Sequence, residues 1–202
     1  MLNLKTCKNT LNSKTRVIII AATILLVVTA FVCYLVIPRT GVNSMSEIII
    51  YKDERELELI VDSNCIGLFK IGLSSEPSGT KDKEGDKRTP EGEYYICTRN
   101  ERSRYTFFLG ISYPNINDAQ RNLDLGKIDQ KTYNTIKSAI ENKKQPPWNT
   151  PLGGEIGIHG GGCDSDWTLG CIAVSDEDIQ LIKQYAPFKT PVKIYASRNS
   201  VF

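Results

Sequence analysis

Val17 to Ile37, VIIIAATILLVVTAFVCYLVI, is a run of 21 residues without a charge. At about 1.5 Å of rise per residue, a helix of that length reaches about 31 Å, the thickness of a bilayer core. The run exceeds the apolar core of a signal peptide and no small-x-small cleavage site follows it, so residues 17–37 are read as one uncleaved transmembrane helix. Lys5, Lys8, Lys14 and Arg16 precede it and only Arg39 follows closely. The positive-inside rule therefore leaves residues 1–16 as a cytoplasmic tail and exports the chain from about Pro38 onward. Val32 precedes Cys33 where a lipoprotein would need a small residue, so Cys33 is read as an apolar side chain facing lipid.

Past residue 40 the chain holds 20 bases against 23 acids. Nucleic-acid binders need a basic stripe, and this balance excludes DNA and RNA as partners. Residues 38–46, PRTGVNSMS, read as a linker, and 47–202 as one exported domain. Alternation and β-branched content predict strands over Glu47–Lys52, over Glu56–Val61 with Leu57, Leu59 and Val61 on one face, and over Ile66–Leu73. These three form an early meander. Residues 74–92 are rich in Gly, Pro and charge and read as loop, followed by strands at Glu93–Arg99 and Thr106–Ser112. Asn115–Asn142 carries helical periodicity broken at Gly126 and ended before Pro146 and Pro147, which predicts two short helices. Glu155–His159 and Cys171–Val174 read as strands. Ser175 with Asp178 forms a capping box opening a helix with Ile179, Ile182 and Ala186 at helical spacing, and Val192–Ala196 is a last strand. The fold class is mostly β with a few helices, behind one membrane helix.

His159 is the chain's single histidine. It closes a strand, precedes Gly160, Gly161 and Gly162, and stands twelve residues before Cys171. A free thiol near pKa ~8.5 is a poor nucleophile at neutral pH, and an imidazole beside it activates it by taking the proton. Two adjacent strands, one ending at His159 and one beginning at Cys171, would bring both side chains to one sheet edge. Gly170 permits close backbone approach, and amides around that turn can support an oxyanion. Cys65, Cys97, Cys163 and Cys171 all lie in the exported part, where disulfides are permitted. Four cysteines allow three full pairings, and the sequence does not choose among them. Cys163 is read as a disulfide partner or a buried small residue rather than a second catalytic thiol. A Cys163–Cys171 disulfide would act as an oxidative off-switch.

The stretch IGIHGGG followed by DWTLGCIAVSDEDI resembles the active-site segment of the YkuD-type L,D-transpeptidases, in which H-G precedes a variable loop and S/T-x-G-C-I/V. Upstream, GTKDKEGDKRTPEGEY is similar to that family's K-x-x-x-G-D-x-R-T-P-x-G-x-Y block, and the resemblance spans about Ile48 to Ala196. It implies a bacterial cell-wall enzyme with a β-sandwich-like catalytic fold and no cofactor. Such an enzyme acts on peptidoglycan stem peptides through a cysteine thioester. Carried over residue by residue, Cys171 is the nucleophile and His159 its base, with the Gly160 carbonyl holding the imidazole and Gly170 shaping the turn. Arg88, Thr168 and Trp167 are the implied substrate contacts. Arg88 has either a substrate carboxylate or a structural ion pair to serve, since its fork suits both. Trp148 and Trp167 suit groove lining or packing equally. Lys81 and the other lysines of the upstream block read as a solvated turn, and Asp164 and Asp166 as turn formers, with orientation of His159 as their alternative role.

This chain departs from the pattern at Leu169, where many members carry a polar residue, and at Ala173, where they carry arginine. Those departures resemble members that process protein-to-peptidoglycan links, so transfer and hydrolysis both stay open. A metal site built from His159, Cys163, Cys171 and a loop aspartate would lack the paired short spacings of structural zinc, and no metal is expected. A wall-binding module without turnover is the alternative from another class.

Overall fold

The computed structural model describes residues 45–200 and, before them, residues 12, 22 and 23. Apart from those three residues, the segments expected to form the cytoplasmic tail (1–16) and the membrane helix (17–37), with Cys7, Cys33 and residues 38–44 of the linker, lie outside the described residues. Among the described residues no helix is long and apolar enough to cross a membrane. The linker's last residue belongs to the domain instead: Ser46 opens the first strand, and the Met45 amide donates to Asp62 Oδ1 at 3.0 Å.

Strands β1 (Ser46–Tyr51), β2 (Glu56–Val61) and β3 (Asn64–Lys70) form the meander. Alternation sets their faces: Ile48, Ile50, Leu57 and Leu59 are fully buried. Asp62 and Ser63 both have positive φ, the geometry of a two-residue hairpin turn that follows the twist of its strands. Strands β4 (Gly92–Asn100), β5 (Phe108–Ile111), β6 (Gly157–His159), β7 (Ile172–Ala173) and β8 (Pro191–Tyr195) complete the order β3-β2-β1-β8-β4-β5-β6-β7. Helices α1 (Ile116–Asp124) and α2 (Gln130–Glu141) follow β5, and α3 (Asp176–Tyr185) follows β7. The full capping box sits on α1, between Asn115 and Asp118. At α3 the Ser175 hydroxyl accepts from the Asp178 amide, and Ile179, Ile182 and Ala186 are fully buried as their spacing predicts.

The expected mostly β architecture takes the form of a curled sheet. One continuous sheet forms, with β4 shared between its two halves and its pairing with β5 shifting register between Ile96 and Thr98. The sheet then curls until the chain leaving β3 meets β7, where Gly72 bridges Ala173 and Ser74 bridges Thr168. A single apolar cluster, from Ile48 and Leu57 to Leu109, Ile158 and Ile172, fills the interior. Strand boundaries also move. The predicted strand at Thr106 begins at Phe108 because Thr106 has φ +67, and that at Glu155 begins at Gly157 because Glu155 has φ +56. Cys171 stands just outside the two-residue β7.

Within the loop 74–92, Lys83 and Lys87 are exposed as expected, whereas Lys81 is not solvated. Lys81 is 3% exposed and its ammonium meets Asp86 Oδ1 at 2.7 Å. The same carboxylate accepts from the amides of Asp82 at 2.7 Å, Lys83 at 3.0 Å and Arg88 at 3.0 Å. Lys52, 1% exposed, ties the loop to β1 through the Gly79 carbonyl at 2.6 Å, the Thr89 carbonyl at 3.2 Å and Glu91 at 2.7 Å. Burial alone would raise the Asp86 carboxyl, but the Asp82 amide, the Lys81 ammonium and the Lys83 and Arg88 amides together hold it below the usual range.

Asp86→Ala is expected to cost about 3 kcal/mol in urea denaturation at pH 7, because it strands a buried ammonium. A carboxyl depressed in the folded state contributes stability that is full above its unfolded pKa of about 3.9 and is lost as pH falls through the folded value. The gap between wild type and variant should therefore close below about pH 4, and a gap independent of pH would contradict this assignment.

Candidate active site

Strands β6 and β7 are parallel neighbours with His159 opposite Ala173. Cys171 stands two residues ahead of Ala173, the spacing that returns a side chain to the same face of an extended chain. His159 and Cys171 both line a cleft of about 530 Å³, together with Arg102, Arg104, Tyr105 and Glu155.

The His159 Nδ1 lies 2.6 Å from the Gly160 carbonyl oxygen. A carbonyl only accepts, so Nδ1 carries the proton and Nε2 is the basic atom. The Tyr105 ring stacks on the imidazole with centroids 4.6 Å apart, and the Trp167 indole meets it edge-on at 5.5 Å. Burial lowers the histidine's pKa against the opposing pull of the Gly160 carbonyl, with Arg104 lowering it further. The Cys171 thiol donates to the Glu155 carbonyl at 3.4 Å. Burial pushes that thiol up to about 11, the Gly157 amide opposing and the Glu155 charge adding. Both shifts favour uncharged forms, so the resting pair is thiol and imidazole rather than thiolate and imidazolium.

The turn before the cysteine is built from backbone. Gly170 has φ +123, and a Cβ there would stand 2.8 Å from the Arg88 carbonyl oxygen. Only glycine allows the upstream loop to brace the residue before Cys171 so closely. Thr168 is buried, with its hydroxyl donating to the Cys171 carbonyl at 2.7 Å and accepting from the Gly170 amide at 3.3 Å. That hydroxyl is committed to the turn. Arg88 is exposed and is not among the cleft residues, and its carbonyl stands against Gly170. Trp167 is 38% exposed and its indole N–H donates to Gly162 at 3.0 Å, placing it against His159 rather than in the cleft lining.

Asp166 is held by Arg55 at 2.7 Å and by the Leu73 amide at 2.8 Å, and Asp164 lies 3.6 Å from Lys70, so neither orients His159. Cys65, Cys97, Cys163 and Cys171 are all free. The charges that act on Cys163 are Lys70, Asp164 and Asp178, whereas those on Cys171 are Glu155 and Lys81, so the two thiols occupy different surroundings. Among the described residues no group of three or more His, Cys, Asp or Glu side chains is placed to hold a metal ion.

Four contributors are given no role by the sequence reading. Tyr105 reaches His159 from a turn whose carbonyl also accepts from the Gly160 amide at 3.1 Å. Asp176 accepts from the Gly161 amide at 2.9 Å and from the Thr106 hydroxyl, fixing the glycine segment to that turn. Arg104 lies over the Tyr105 ring at 4.7 Å. Glu155 joins the cleft to a second one of about 620 Å³ that holds Leu169, Glu84 and Lys87. These residues lie far from both motifs in sequence or look like ordinary surface charge.

The family model of the YkuD L,D-transpeptidase catalytic domain matches residues 46–194. No curated protein matches the chain in sequence. Among solved structures, the helical cell shape determining protein Pgp2 from Campylobacter jejuni superposes with a TM-score of 0.52 at 20% identity, covering 79% of this chain and 53% of that one. Bd1075 of Bdellovibrio bacteriovorus superposes with a TM-score of 0.51 at 20% identity, covering 76% and 49%. The chain thus spans about half the length of either structure, and at that identity the likeness is one of fold.

The uncharged resting pair is checked by alkylation. Modification of the Cys171 peptide by iodoacetamide should rise about tenfold per pH unit between about pH 7 and 10, as expected of a thiol titrating far above neutrality. A plateau already reached near pH ~6–7 would reveal a thiolate and imidazolium pair instead.

Proposed function

We propose, from the premise that the chain belongs to the YkuD L,D-transpeptidase catalytic domain family, that Cys171 forms a thioester with a peptidoglycan stem peptide and passes the acyl group to an amine. The observation that carries this reading is the meeting of His159 and Cys171 in one cleft, with His159 Nδ1 fixed on the Gly160 carbonyl. The family match supplies the reaction class, and the geometry supports the roles.

The thiol starts protonated, so attack and deprotonation are coupled. His159 Nε2 takes the proton as sulfur adds to the stem carbonyl, and then returns it to the departing amine of the terminal D-residue. The Cys171 amide supports the oxyanion from the braced turn. Arg102 and Arg104 meet the carboxylate of the departing residue on the His159 side of the cleft. They take the place of the arginine absent at position 173, where this chain has a fully buried Ala173. Cleavage by water is the competing outcome of the same thioester. The apolar run 17–37 and the bases before it support a single-pass cell-membrane anchor that holds the domain on the extracytoplasmic side.

Turnover of a disaccharide-tetrapeptide, followed by chromatography and mass spectrometry of the products, tests the roles. Cys171→Ala should abolish all product, and His159→Gln should lower kcat by about a hundredfold or more with little change in KM, as loss of a general base does. Cys163→Ala should leave turnover near wild type. Equal loss in both cysteine variants would place the nucleophile elsewhere. The anchor predicts that the full chain stays in the membrane pellet through an alkaline wash, whereas release by the wash would refute it.

A further inference from the structure

Glu155 stands where the two clefts meet, lining both. Its φ of +56 is a left-handed backbone that a residue with a side chain keeps only when its surroundings fix it. They do so here. Its carbonyl accepts from the Cys171 thiol at 3.4 Å. The preceding Gly154 packs so tightly on Trp148 that a Cβ would lie 2.3 Å from the indole. The carboxylate that this backbone presents is exposed, and among the described residues it makes no hydrogen bond or ion pair. It is also the one acid lining the cleft that holds His159, Cys171, Arg102 and Arg104. Its charge hinders ionisation of the thiol, so it does not serve to activate the nucleophile.

We infer that Glu155 holds the ammonium of the incoming primary amine, making it the residue that favours transfer over hydrolysis. The inference rests on the thioester reading above and concerns the step after it. The two arginines repel an ammonium from the rest of the cleft, leaving the Glu155 end as its seat. From there the ammonium gives a proton to His159 Nε2. Its nitrogen attacks the thioester carbonyl, the C–N bond forms, the C–S bond breaks, His159 returns the proton to the Cys171 sulfur, and the second proton of the attacking nitrogen leaves to water. Water carries no charge for Glu155 to hold, so the carboxylate acts on the amine branch alone.

The test uses the full chain with a disaccharide-tetrapeptide as both donor and amine. The readout is the ratio of cross-linked dimer to released tripeptide, which is decided after the thioester has formed and so does not depend on how fast it forms. In Glu155→Gln the ratio should fall about fivefold, the scale of one charge-assisted contact at a half-open site, with partial recovery in Glu155→Asp. In wild type the ratio should also fall between about 0.05 and 0.5 M salt as the contact is screened. An unchanged ratio in Glu155→Gln overturns the inference while leaving the thioester reading intact, and should that variant not fold, a salt-independent ratio in wild type does the same. Neither product from wild type overturns the reading and the inference together.

Discussion

Two backbone hydrogen bonds, from the Gly72 amide to the Ala173 carbonyl and from the Ala173 amide back to the Gly72 carbonyl, each 2.8 Å, join the chain leaving β3 to the far end of the sheet. A strand of two residues has little cohesion with one neighbour, and this pairing supplies its second. The Leu73 carbonyl extends the seam by accepting from the amides of Trp167 at 2.8 Å and Thr168 at 2.9 Å. Gly72 is a necessary part of it, since a Cβ there would stand 2.6 Å from the Ser165 carbonyl. Residues 167–173 are thereby fixed from one side. The loop 79–91, anchored by Lys52 and by the Lys81–Asp86 pair, braces Gly170 from the other. The position of Cys171 follows from these two supports.

Local pattern and tertiary context divide what the sequence reveals. The meander, α3 and the last strand are legible because Ile48, Ile50, Leu57, Leu59, Ile179 and Ile182 repeat with the period of their elements and are buried accordingly. His159 and Cys171 are legible as a pair because a lone histidine and a glycine-flanked cysteine stand at two strand ends. The curl of the sheet is hidden because it depends on Gly72 meeting Ala173, about a hundred residues apart. Lys81 reads as surface because nothing local shows that Asp86 and three amides will close around it. The sequence leaves Arg88 between a substrate carboxylate and a structural ion pair, and does not show that its carbonyl braces Gly170, since every residue possesses a carbonyl. Tyr105 and Glu155 escape notice because their importance lies in backbone turns with positive φ at Thr106 and Glu155, in residue types that seldom adopt them.

The electrostatics of the cleft fit a reaction in which charge appears only during turnover. Burial holds both the thiol and the imidazole uncharged, and the Gly160 carbonyl fixes which nitrogen is basic. The arginines and Glu155 line the same cleft with opposite charge, Arg102 and Arg104 suited to a carboxylate and Glu155 to an ammonium. In the proposed reaction, the carboxylate of the departing D-residue and the ammonium of the arriving acceptor would each find a complementary group. Positive charge thus enters this cleft from the turn that carries Tyr105, not from the strand after the nucleophile.

The thioester is the central claim, and intact-protein mass spectrometry after brief exposure to a stem tetrapeptide tests it most directly. The account predicts a mass gain equal to the tetrapeptide less its terminal residue, mapped by digestion to Cys171. A folded protein that gains no mass, or that carries the acyl group on Cys163 or another residue, would contradict it.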